Sequence, residues 1–258
     1  MILVAGGDSF IWGTDLADHK HTRQDGHSNS TWPAQLATEY SMEYRCAAWP
    51  GLSNNEVARR VLEQCELIND PDNTTVVVQW TFPWRFCYRC ADIGWYTFDL
   101  QVVTKKFQDA WAEKEIKRLE KIGVLEFAHS FYKSIGSTEY WPVYDTIREI
   151  LLLQGYLKSK NINYMFTAAD NCLFENMTIS KPTDVYVRQL YDQIDFNHWV
   201  WFPKGTEANE TLTPRGFYQW ALENKYITGT TGHPLELAHA DAKEIIKGKF
   251  NELVKKHN

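Results

Sequence analysis

The chain lacks any continuous apolar stretch of the length a membrane span needs, so no transmembrane helix is expected. It also lacks a basic surplus. Lys and Arg number 27 against 33 Asp and Glu, giving a formal net charge of -6 and an isoelectric point near 5.8, which argues against the basic face a nucleic acid requires. The N-terminus enters an apolar segment directly, without a basic region, apolar core and cleavage site, and no signal peptide is expected. Cysteine is scarce and odd in number. The five thiols, at positions 46, 65, 87, 90 and 172, do not suggest a disulfide framework. Cys87 and Cys90 have the spacing of a metal or redox pair, but no second pair accompanies them, so neither a metal nor a cofactor is expected. Repeats, low-complexity stretches and linkers are absent too. With 258 residues, 44% hydrophobic and 23% charged, the chain reads as one globular domain, 1–258.

What is present is an alternation of strand and helix patterns. The apolar run Ile2 to Ala5 predicts a first strand, and Glu43 to Ala48 a second. Ser53 and Glu56 then form a capping box before a helical stripe of Val57, Val61, Leu62 and Cys65 that runs to about Ile68. Thr75 to Gln79 predicts the third strand, Val143 to Lys158 a helix, Tyr164 to Thr167 a fourth strand and His198 to Phe202 a weaker one. A last helix is expected from about Leu235 to Lys255, with Pro234 suited to its first position. Such alternation is the signature of a parallel sheet covered on both faces. The expected fold class is therefore α/β: a three-layer α/β/α, flavodoxin-like parallel sheet of about five strands.

After the third strand, residues 86–140 form an insertion longer than the loops usual in α/β units. Lys105 to Lys121 is rich in Glu, Lys and Ala, with Phe107, Trp111, Ile116 and Leu119 at helical spacing, and predicts a helical cap. Flanking aromatics, among them Trp95, Tyr96, Phe98, Phe127, Phe131, Tyr132, Tyr140 and Trp141, suit a buried core, contact with sugar rings or acyl chains, or the interface of a homo-oligomer.

The chemistry gathers at strand ends. Gly7-Asp8-Ser9-Phe10 puts a hydroxyl just past the first strand, where open α/β sheets bind ligands. The same loop lacks the glycine spacing of dinucleotide or P-loop sites. Pro50-Gly51-Leu52-Ser53-Asn54 follows the second strand, Gln79-Trp80-Thr81-Phe82-Pro83-Trp84-Arg85 the third, and Gly232-His233-Pro234 precedes the last helix.

In this order the blocks resemble those of the SGNH (GDSL-type) hydrolase superfamily over nearly the whole chain. The third block is similar to a phage and bacterial subgroup that carries Trp-Thr there. The resemblance implies Ser9 as nucleophile, the Ser9 and Gly51 amides as oxyanion donors, and His233 as general base. Two positions depart from the family pattern. Thr81 stands where an oxyanion-hole Asn is expected, and its hydroxyl is still able to donate one hydrogen bond. Thr230 replaces the Asp three residues before His233, which leaves a Ser-His dyad or incomplete triad. Thr230 is then the candidate that orients the imidazole, unless a carboxylate from elsewhere, such as Glu236 or Asp170, reaches the ring.

Asp8, Asn54, Trp80 and Arg85 are candidate substrate-binding residues, although Asp8 and Asn54 read mainly as structural, bonding loop amides and the first turn of the helix. His239 lies among Leu237, Ala238, Ala242, Ile245 and Ile246 and reads as a packed core histidine. The expected activity is that of a serine esterase on a small-molecule or glycan ester, an O-acetylated carbohydrate by preference, with no nucleic acid or membrane as partner. The alternatives are a catalytically weak or inactive glycan-binding or virion module and an O-acyltransferase. The expected location is cytoplasmic or virion-associated.

Overall fold

The computed structural model describes residues 1–19, 26–90, 94–98, 113–136, 138, 140–172, 184–203 and 215–254. In chain order the first elements are β1 (Ile2–Gly6), α1 (Ser9–Trp12), α2 (Trp32–Glu39), β2 (Glu43–Cys46), α3 (Asn54–Ile68) and β3 (Thr74–Trp80). The hairpin β4 (Phe86–Cys90) and β5 (Gly94–Phe98) follows, then α4 (Glu113–Lys121), α5 (Val124–Phe131) and α6 (Tyr140–Ser159). The chain continues through β6 (Asn163–Ala168), α7 (Val185–Tyr191), α8 (Phe217–Glu223) and α9 (Glu236–Val254).

Four strands form a parallel sheet in the order β2-β1-β3-β6. Every residue of β3 is buried, and Leu3, Val4 and Ala5 of β1 are fully so, which is why the centres of these strands read as continuous apolar runs rather than alternating ones. β2 lies at an edge, and its burial alternates. Successive side chains of the central strands feed two separate cores. Val4, Val76, Val78 and Phe166 pack with Val57 and Val61 of α3 and Ile147, Ile150 and Leu153 of α6. Leu3, Ala5, Val77 and Met165 pack with Leu36 of α2 and Ala242, Ile246 and Phe250 of α9.

The weaker strand expected over His198 to Phe202 is reduced to isolated bridges, Phe166 with Trp199 and Phe202 with Arg215, after a 3-10 turn at Phe196–His198. The reason is local. The His198 ring places Nδ1 3.0 Å from the Tyr164 carbonyl and so occupies an acceptor that a longer ladder would use, and the Val200 amide is the one that reaches β6, at Phe166 O. Among the described residues the parallel sheet therefore has four strands, not five.

Two helix starts also differ in detail from expectation. Ser53 caps α3 by accepting from the Glu56 amide, but the Glu56 carboxylate turns to Arg59 and Thr97 instead of back to Ser53. Pro234 does not open α9; it forms an antiparallel bridge with Thr228, and the helix begins at Glu236.

The insertion holds a hairpin as well as helices. Phe98, Leu119, Val124, Leu125, Phe131 and Tyr132 form a third core of its own, joined by Phe86 and Trp141. Thr97 donates to Glu56, and the Arg59 guanidinium lies 4.8 Å from the Trp95 ring centre, which together fasten the hairpin to the start of α3. Of the helix expected over 105–121, the part from Glu113 is present, while Phe107 and Trp111 lie outside the described residues, as do the Cys90 thiol and Lys255. Among the described residues no helix is long and apolar enough to cross a membrane.

Candidate functional site

The site is assembled at the carboxyl ends of β1 and β3 from both extremities of the sequence. Asp8 caps α1, accepting from the Phe10 amide at 3.2 Å, and Ser9 is the first residue of that four-residue helix. A helix leaves its first amides without internal acceptors, so the Ser9 N–H is available to a ligand. The short helix ends at Gly13, and Asp15 follows with a left-handed backbone, φ 71°. One compact turn thus presents a hydroxyl and a carboxylate.

The partner base arrives on a tight turn before α9. Leu235 N donates to Ile227 O at 3.1 Å and Gly229 N to His233 O at 2.8 Å, which pins the intervening residues and presents the imidazole. His233 Nε2 lies 2.7 Å from Ser9 Oγ. On the other side of the ring, Nδ1 is 2.7 Å from Thr231 Oγ1 and 3.4 Å from Asp15 Oδ2. Thr231 donates to that same Asp15 oxygen from both its amide, at 2.8 Å, and its hydroxyl, at 2.6 Å. With its proton given to Asp15, the Thr231 oxygen accepts from His233 Nδ1–H, and this tautomer leaves Nε2 free to accept from Ser9.

Electrostatics agree with that assignment. Burial lowers the pKa of His233 and outweighs the opposing charges of Asp8 and Asp15, so the ring is held below its usual 6.5 and stays neutral at pH 7. Burial acts to raise Asp15, but the Thr231 hydrogen bonds and the neighbouring His233 outweigh it and hold the carboxyl below its ordinary value of 3.8. Its side chain is only 2% exposed.

Ser9 and His233 are therefore brought together as the sequence blocks anticipate, while the orienting group is a correction. Thr230 does not touch the imidazole; its hydroxyl donates to Asp15 Oδ1 at 3.3 Å. Asp15 and Thr231 do the orienting, and neither was singled out, because no family spacing marks an acid six residues after the serine. Glu236 instead accepts from the Ala17 amide, and Asp170 from that of Cys172.

The loop after β2 is tied to the loop that carries Ser9 by Trp49 N to Gly7 O at 3.3 Å. Among the described residues the Gly51 amide has no acceptor, as an oxyanion donor requires. Thr81 differs from expectation, because its hydroxyl donates to Asp8 Oδ2 at 2.6 Å and its one proton is already committed. Trp80 is 1% exposed and packs its ring edge-on to Phe166 in the core, so it is no substrate contact. Its position beside Thr81 in sequence is misleading, since adjacent residues of a strand face opposite sides.

Asn54 and Asp8 are buried, the first holding the amide and carbonyl of Thr81 and the hydroxyl of Thr146, the second pairing with Arg85 at 2.8 Å. Phe10 flanks the site, 5.0 Å from His233 and 5.4 Å from Tyr218 between ring centres. His239 is a core residue whose Nδ1 accepts from the Trp32 amide at 3.3 Å, and burial pushes it down to about 3. Among the described residues no group of three or more His, Cys, Asp or Glu could hold a metal ion. No family model matches the chain, and a search of curated proteins finds no match either.

Proposed function

We propose that the protein is a serine ester hydrolase of the SGNH type, acting on a small-molecule or glycan ester, with an O-acetylated carbohydrate as the preferred substrate. The observation that carries this reading is the 2.7 Å contact between Ser9 Oγ and a neutral His233 Nε2, backed by Asp15. The strand order β2-β1-β3-β6, with helices packed to either side, accords with a flavodoxin-like three-layer scaffold in one domain.

In the acylation half-reaction Ser9 Oγ bonds to the carbonyl carbon as its proton passes to His233 Nε2. The carbonyl π pair moves onto oxygen, where the Ser9 and Gly51 amides stabilise it. The pair then returns, the bond to the alcohol breaks, and His233 gives its proton to the leaving oxygen. Water repeats the sequence on the acyl-serine and releases the acid. Asp15 holds the Nδ1–H tautomer and stabilises the transient imidazolium, a role worth up to about 10⁴ in turnover in serine proteases.

A fluorophosphonate probe tests this reading, since it labels an activated serine. Labelling of the parent protein that disappears in Ser9→Ala and falls sharply in His233→Ala is expected. A parent protein that is not labelled would instead be a binding module on the same scaffold.

A further inference from the structure

The Thr81 oxygen is engaged twice over: besides donating to Asp8, it accepts from Arg85 Nη1 at 2.6 Å. Two main-chain amides suffice for an oxyanion hole in serine proteases, and any third hydrogen bond to a developing oxyanion here comes from a group other than Thr81. Arg85 is placed for it. Nη1 also donates to Asp8 Oδ2 at 2.8 Å and to Leu52 O at 3.2 Å. Asp8 precedes Ser9 and Leu52 follows Gly51, so the guanidinium is held between the neighbours of the two main-chain donors. Its carbon lies 5.0 Å from the Phe82 ring centre, and Phe82 faces Phe10, the ring that flanks His233.

Only one of the three guanidinium nitrogens is used in this network. Among the described residues Nε and Nη2 carry no hydrogen bond, and neither is sealed from solvent. The side chain is 13% exposed, so part of it remains within reach of a ligand. Neutralising Asp8 needs a single positive charge, which a lysine could supply, whereas a planar fork has a second edge to offer.

Resting on the esterase reading, we propose that Arg85 is the third oxyanion donor, a catalytic residue that occupies the role expected of Thr81. As the Ser9 proton moves to His233 and the carbonyl pair moves onto oxygen, that oxygen accepts from the Ser9 N–H, the Gly51 N–H and the free edge of Arg85. Arg85 transfers no proton, and its bond to the oxygen is given up when the carbonyl re-forms.

The test compares Arg85→Lys, and the double variant Asp8→Asn/Arg85→Gln, with the parent protein. The readouts are fluorophosphonate labelling rate, and kcat and KM on uncharged 4-nitrophenyl acetate and on monoanionic 4-nitrophenyl hemisuccinate. The expected result is a fall in kcat of about 10² to 10³ on both esters, with KM little changed. The double variant, which removes the buried pair without stranding a charge, is expected to stay equally slow and serves also if Arg85→Lys folds poorly. Full activity in Arg85→Lys, or recovery in the double variant, would make Arg85 a structural counter-ion and overturn the proposal. A loss confined to the KM of the anionic ester would overturn it too, making Arg85 an anchor for a substrate carboxylate. Absence of Ser9-dependent labelling in the parent removes the esterase reading and this proposal together; labelling that Arg85→Lys leaves undiminished removes this one alone.

Discussion

Asp15 is the residue on which the base depends most directly. Because His233 is held below 6.5, kcat/KM for an ester is expected to stay high through neutral pH and to fall on the acid side with a midpoint below that value. Asp15→Asn removes the negative charge 3.4 Å from Nδ1 that favours the imidazolium, so the acid limb moves further down in pH while kcat drops by up to about 10⁴. A pH-rate profile checks both, and an unmoved limb would show that Asp15 does not act through the imidazole. Thr230→Asp puts an acid where the resemblance to SGNH hydrolases expects one, yet it faces Asp15 from a site where the present hydroxyl is 3.3 Å away. Turnover is expected to fall, through repulsion between two carboxylates. Thr81→Val leaves Asp8 short of one buried donor, and denaturant titration is expected to read a loss of about 1 to 3 kcal/mol. The meeting of Ser9 and His233 was legible because their blocks stand past β1 and before α9, in the order that the resemblance led one to expect. The acid was not: its proximity to the ring comes from a left-handed turn and a meeting of distant segments, and local spacing encodes neither.

At the level of elements, the turn that carries His233 and the turn that carries Asp15 are in van der Waals contact at Gly229. A methyl group there would lie 2.6 Å from Asp15 Cγ and 2.7 Å from Oδ2. The nearest atom, Asp15 Cβ, would be closer still, so Gly229→Ala is expected to displace Asp15 and lower both kcat and the melting temperature, which paired kinetics and thermal melts will read. Gly248, inside α9, has nothing within 4 Å of an added methyl, and Gly248→Ala is expected to raise stability by about 0.5 to 1 kcal/mol through helix propensity. The sheet was legible for the opposite reason to the acid: β1 and β3 are buried on both faces, and their centres are the apolar runs Ile2 to Ala5 and Val76-Val77-Val78. The fifth strand was not, because the ring of His198 replaces a backbone contact, and side-chain substitution of a ladder bond leaves no trace in hydrophobic pattern. In the insertion the expected aromatics are mainly an independent core, with Phe98, Phe131 and Tyr132 buried against one another.

Among the described residues of the whole molecule, His239 is a strongly perturbed histidine in the interior. His239 stays neutral in the folded state down to about pH 3, whereas the unfolded chain protonates it near 6.5. The unfolded state thus binds the extra proton across that interval. Stability is lost by about 1.4 kcal/mol for each pH unit below 6.5, and His239→Gln is expected to flatten that slope in denaturant titrations across pH. The Trp32 amide that His239 accepts belongs to α2, so this acid-labile contact also fastens α9 to the remainder of the fold. Ser9 and His233 are 224 residues apart in sequence, and His233 stands three residues before α9 begins at Glu236. On the esterase reading, Ser9 lacks its base until the segment that precedes α9 is in place. On that reading fluorophosphonate labelling is expected to appear only once α9 has docked, so its onset during refolding would report that docking.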